Sequence, residues 1–83
     1  MPTPLSPALE TLGGRIRVRR GELSLSQEGL ADKAGLHWTF VGQVERGRRN
    51  LSLHNLLKLA EALQTDPGRL IEGLHAPEGA TSD

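Results

Sequence analysis

Between Gln27 and Arg46 the chain reads QEGLADKAGLHWTFVGQVER, with apolar or small residues at Leu30, Ala31, Ala34, Leu36, Val41 and Val44 and glycine at position 35. This spacing leaves few options. At about 3.6 residues per helical turn, Leu30, Ala31 and Ala34 fall on one side of a short helix. Gly35 can adopt positive φ and reverse the chain within about three or four residues. Ala31 is small where a second helix crossing steeply comes nearest, and Leu36, Val41 and Val44 pin that second helix onto the first. Two short helices joined by a tight turn satisfy all of these constraints together.

The flanking sequence is helical as well. Ser6-Pro7 reads as a cap followed by a first helical position, and Leu9, Leu12 and Ile16 recur at helical spacing, giving a first helix over about 8 to 20 that Gly21 ends. Its Gly13-Gly14 pair costs helix propensity. Ser26 caps the second helix, Gly35 stops it, and a third spans about 37 to 46 with Gly47 as its left-handed stop. Ser52 caps a fourth, LSLHNLLKLAEALQ, with an apolar face of Leu53, Leu56, Leu57, Ala60 and Leu63. Asp66-Pro67 opens a fifth carrying Leu70, Ile71 and Leu74. No stretch alternates apolar and polar residues as a strand does. The expectation is an all-α, compact five-helix domain over 8–74, with a flexible segment at 1–7 and a flexible tail at 75–83.

Composition narrows the function classes. An 83-residue chain supports one small core, and with one Trp, one Phe and no Tyr that core is aliphatic. The absence of cysteine removes disulfides, thiolate nucleophiles and sulfur-ligated zinc. His37, His54 and His75 are too far apart to suggest a metal site, so neither metal nor cofactor is expected. No convergent nucleophile, base or metal set is evident, which argues against an enzyme. Neither a membrane-length apolar run nor a signal-peptide pattern is present, and the expected location is cytoplasmic.

Net charge is zero, which disfavours indiscriminate binding to polyanions. Seven of the ten basic residues nevertheless cluster, as Arg15, Arg17, Arg19, Arg20 and as Arg46, Arg48, Arg49. The second cluster directly follows the third helix. With Val41 inward, that helix turns Thr39, Gln43 and Arg46 outward, flanked by Trp38 and Gly42. A glutamine can pair with both hydrogen-bonding groups of an adenine edge, and a threonine can meet a thymine methyl.

Residues 12 to 71 resemble the lambda-repressor-like, Cro-type (XRE) helix-turn-helix family, above all its short single-domain members such as restriction-modification controller proteins. The carrying segments are IRVRRGELSLSQEGLADKAGL, TFVGQVERGRRNLSL, LLKLAEAL and DPGRL. The resemblance implies a sequence-specific regulator of transcription that binds double-stranded DNA. It implies that Gln27 binds a phosphate and braces the recognition helix, that His37 contacts the DNA backbone, and that Trp38, Thr39 and Gln43 choose bases. Arg46, Arg48, Arg49 and Asn50 would line further phosphates, and Arg20 would pair with Glu45. Arg19 stands where relatives usually carry an aliphatic residue, Gly42 where a polar residue is commoner, and Leu51 where proline is frequent.

Other placements remain open for some of these residues. Trp38 is also compatible with packing across its own helix turn or with a subunit contact, Phe40 suits core or intersubunit packing better than base contact, and Arg15 and Arg17 are compatible with a merely solvated face. One recognition helix spans only about 4 to 6 base pairs, so a homodimer on a pseudo-palindromic operator is expected, with Leu70, Ile71 and Leu74 as the dimer contact. The rival reading is an antitoxin-like protein-interaction module that also binds DNA. No small-molecule effector is suggested.

Overall fold

A computed structural model describes residues 3–77. In chain order the helices are α1 (Pro7–Glu22), α2 (Gln27–Ala34), α3 (Trp38–Glu45), α4 (Leu53–Ala62) and α5 (Pro67–Ile71), with no strand among the described residues. Every helix starts on a side chain that accepts from a backbone N–H otherwise left without a partner. Ser6 accepts from Leu9, Ser26 from Gly29, Ser52 from Asn55 and Asp66 from Gly68, while the His37 ring nitrogen accepts from Thr39 at 3.3 Å. None of the helices among the described residues is long and apolar enough to cross a membrane.

One core serves all five helices. Leu12 and Ile16 from α1 meet Leu30, Ala31 and Ala34 from α2, Val41 and Val44 from α3, Leu56, Leu59 and Ala60 from α4, and then Leu63 and Leu70. α2 packs on both α3 and α4, while α1 packs on α3 and α5. Gly35, with φ of 69°, makes the reversal between α2 and α3. α1 crosses the end of α3 at Gly13. A Cβ there would collide with the carbonyl oxygens of Val44 and Glu45, the latter at 2.5 Å. Gly14, one residue on, has nothing within 4 Å of the same position.

Several sequence expectations need correction. Gly21 does not end α1, which runs to Glu22; the reversal falls at Ser24, whose φ is 56°. Leu23 N–H there bonds to the carbonyls of both Arg19 and Arg20, which closes the last turn beyond the glycine. The inner face of α4 is Leu56, Leu59 and Ala60, continuing to Leu63, whereas Leu53 is 67% and Leu57 40% exposed. Leucines on both sides of this helix make two faces nearly equivalent by periodicity, and only its neighbours select between them.

Leu70 was expected in a dimer contact, yet it is buried in the core of its own chain. A five-residue α5 has one inward position, and Leu70 occupies it, leaving Ile71 exposed and Leu74 partly so. The lead-in at 1–7 is tied down over its described part: Leu5 N–H donates to the Gly47 carbonyl at 2.8 Å, and Ser6 is buried as the α1 cap. Of the tail expected at 75–83, residues 75–77 carry no helix and 78–83 lie outside the described residues.

The two adjacent glycines of α1 therefore have opposite consequences. Gly13→Ala is expected to destabilise the protein by about 1–3 kcal/mol or more, because backbone must move to admit a methyl. Gly14→Ala should stabilise it by roughly 0.5–1 kcal/mol through helix propensity alone. Chemical denaturation of both variants measures the contrast.

Candidate nucleic-acid interface

The base of α3 is held by a buried charged cluster. Arg20 Nε donates to Glu45 Oε2 at 2.6 Å and Arg20 Nη2 to Glu45 Oε1 at 2.9 Å, the parallel two-bond geometry that a guanidinium and a carboxylate favour. Gln27 Nε2 donates to Glu45 Oε1 at 3.1 Å, and Arg20 Nη1 donates to the Leu25 carbonyl at 2.9 Å. Arg20 comes from α1, Leu25 from the following loop, Gln27 from α2 and Glu45 from α3, so one carboxylate fixes three helices together. The Glu45 side chain is only 3% exposed. Its hydrogen bonds to Arg20 hold the guanidinium pKa above its ordinary value despite the opposing effect of burial.

From that base the outer face of α3 projects. Trp38 is 52% exposed and stacks on His37, their ring centroids 6.3 Å apart. Thr39 is exposed, and its hydroxyl lies 2.8 Å from His37 Nδ1, the ring nitrogen that caps the helix. Gln43 is half-buried one turn further on. Phe40 is partly buried against the core rather than on the outer face.

Gly42, placed at the edge of that face by its sequence position, is instead buried. The Gln27 and Arg46 side chains cover it, and an added Cβ would lie 3.5 Å from Gln27 Oε1 and 3.4 Å from Arg46 Nη1. Those are tolerable contacts, so the packing of the fold does not itself demand glycine there.

Beyond α3 the chain turns at Gly47, whose φ is 73°. A Cβ on this residue would sit 3.0 Å from Glu10 Cα and from Pro4 Cβ, so the turn is packed against both the start of α1 and the lead-in. Arg46, Arg48, Arg49 and Asn50 are exposed around it. Arg48 Nη1 donates to the Thr3 carbonyl, and Arg49 Nε donates to Gln43 Oε1 at 2.7 Å. The structure thus brings Arg49 to Gln43 and both Arg46 and Gln27 over Gly42, while Trp38 and Thr39 group with His37 at the start of the same short helix and Arg48 is held by the lead-in.

The first arginine cluster does something else. Arg15 Nη1 donates to the carbonyls of Leu70 and Glu72, at 3.1 and 2.7 Å, and so closes the C-terminal end of α5. Arg19 Nε donates to the Leu63 carbonyl at 2.9 Å and its Nη2 to Gln64 at 3.2 Å, closing α4 in the same way. Cations at helix C-termini both satisfy orphan carbonyls and complement the helix dipole. Neither role was read from the sequence; the only signal available was their spacing of one helical turn. Arg17 is exposed. Among the described residues, no three His, Asp or Glu side chains are grouped to hold a metal ion.

The HTH_3 helix-turn-helix family model matches residues 16–70. Control protein C.SmaI of Serratia marcescens is 43% identical over 72 residues, 84% of this chain and 86% of that protein. The crystal structure of the restriction-modification controller protein C.AhdI from Aeromonas hydrophila is similar with a TM-score of 0.73 and 52% identity, covering 75% of this chain and 94% of the other. The c2 repressor of Salmonella phage P22, in a crystal structure with a synthetic operator, has a TM-score of 0.70 at 37% identity and the same two coverages, 75% and 94%.

The buried carboxylate yields a direct test. Arg20→Ala removes both guanidinium bonds from the Glu45 carboxylate and leaves only Gln27 bonded to it, and is expected to cost about 3–5 kcal/mol of stability. Replacing Arg20 and Glu45 together by methionine should cost less than that single change, since no charge is stranded. Urea denaturation of both variants decides it; a double variant less stable than Arg20→Ala contradicts the account.

Proposed function

The chain belongs to the helix-turn-helix family of DNA-binding transcriptional regulators, and we propose that it acts as a homodimer on a two-fold symmetric operator. α3 enters the major groove, where Trp38, Thr39 and Gln43 face base edges. Gln27, His37, Arg46, Arg48 and Asn50 meet phosphates on either side and set the register. The observation that carries this reading is the outer face of α3, with Trp38 and Thr39 exposed and Gln43 half-buried, fixed by the Arg20–Glu45–Gln27 cluster beneath it and followed at once by three arginines. A reader must be rigid to discriminate, and a buried two-bond ion pair supplies that rigidity.

Two copies are needed because a single helix spans too few base pairs for useful specificity. The exposed apolar side chains Leu53, Leu57 and Ile71 of α4 and α5 support a contact there. Leu70 is buried in the core of its own chain, so Ile71 and the partly exposed Leu74 are what α5 and its C-terminal turn offer to such a contact. Half-sites would then lie about one turn of DNA apart.

Selection of bound sequences from a random duplex pool tests this reading, with a two-fold symmetric motif as the expected result. On that motif Gln43→Ala should lose about 1–3 kcal/mol and relax the preference at one or two base pairs. Arg48→Ala should weaken all sequences alike and lower the salt slope by about 1. For assembly, sedimentation of the wild type at micromolar concentration should give a dimer and Ile71→Glu a folded monomer. A wild type that stays monomeric with and without operator would refute the two-fold arrangement.

A further inference from the structure

Arg49 does not extend outward from the turn after α3. It folds back onto α3, where its Nε donates to Gln43 Oε1 at 2.7 Å and its guanidinium carbon lies 5.7 Å from the centre of the Phe40 ring. Phe40 is itself packed against the core, so the platform under the guanidinium is fixed. A cation over an aromatic face and a hydrogen bond along its edge hold Arg49 from two directions. Such a placement ties the guanidinium to the outward residue Gln43 instead of leaving it free to reach a phosphate.

The pairing changes what Gln43 offers a base. A free glutamine matches adenine because its carbonyl oxygen accepts from the adenine amino group while its amide N–H donates to N7. In this structure the Gln43 carbonyl oxygen is engaged by Arg49. One of the two lone pairs of the Gln43 oxygen is thereby taken by a charged donor, and the Gln43 amide hydrogens with the terminal nitrogens of Arg49 give the pair more donors than the single acceptor position that remains. Guanine presents two acceptors, O6 and N7, on its major-groove edge, whereas adenine sets a donor beside its one acceptor. We propose that Gln43 and Arg49 act as one donor-rich unit, seated on Phe40, that reads guanine, and that Arg49 is therefore a specificity-determining residue rather than a phosphate contact. The inference rests on the major-groove role of α3 proposed above.

Three proteins put through selection from one random duplex pool test it: wild type, Gln43→Ala and Arg49→Met. Methionine keeps an unbranched chain over Phe40 but has no N–H to donate, and thermal unfolding checks that each variant is folded. The base pair read by the unit is the one whose preference disappears in Gln43→Ala. There the wild type should select guanine over adenine by roughly 5- to 150-fold, and Arg49→Met should shift the preference to adenine. Adenine in the wild-type motif overturns the proposal. So does an Arg49→Met protein that binds every sequence more weakly yet keeps the wild-type preference, the behaviour of a phosphate contact. If Gln43→Ala alters no position, the reading role of Gln43 fails and the donor unit falls with it, an outcome distinct from the other two.

Discussion

The carboxylate of Glu45 is the point on which the geometry of this protein depends. It accepts from Arg20 on α1 and Gln27 on α2 while belonging to α3, so the angle of α3 against the rest of the molecule is set by hydrogen bonds as well as by packing. Apolar contacts alone are tolerant, since leucines and valines of similar volume slide past one another at small cost. A two-bond guanidinium–carboxylate pair in a nearly dry site is not tolerant, because any displacement leaves a charge unsolvated. Gly13 adds the steric counterpart beside it: α1 backbone lies against the carbonyls of Val44 and Glu45, with no room for a side chain between them.

That rigidity bears on the proposed role of α3, because a face that reads bases has to discriminate between edges differing by one donor or acceptor. The lead-in at residues 3–6 contributes to the same end. Leu5 bonds to the carbonyl of Gly47, and Arg48 bonds to that of Thr3, so the turn carrying the second arginine cluster is bound on its far side as well. The exposed face of α3 is thus a rigid surface bounded by a fixed turn, and its positive charge is supplied by Arg46, Arg48 and Arg49 at and beyond the end of the helix.

The arginines show where reading from sequence stops. By composition the two clusters look alike, yet Arg15 and Arg19 close the ends of α5 and α4, Arg20 holds Glu45, and only Arg46, Arg48 and Arg49 stay exposed just beyond the end of α3. Capping of carbonyls some 44 to 57 residues away in sequence has no local signature. Gln43 illustrates the same limit on a smaller scale. Its outward position is set by helical periodicity, but its engagement with Arg49 depends on how the chain returns after Gly47, which periodicity does not describe.

Local chemistry was enough to place the helices. Ser6, Ser26, Ser52 and Asp66 mark their starts, and Gly35 and Gly47 mark turns, because caps and left-handed glycines act within about four residues of chain. The two-helix unit of α2 and α3 was legible for the same reason, its apolar positions lying within one short segment. What only the tertiary structure decided was which of two leucine-bearing faces of α4 turns inward, that Leu70 serves the core of its own chain, and what each arginine holds. Those outcomes depend on contacts between helices distant in sequence, where several arrangements satisfy the same local pattern and only mutual packing and the pairing of buried polar groups select one.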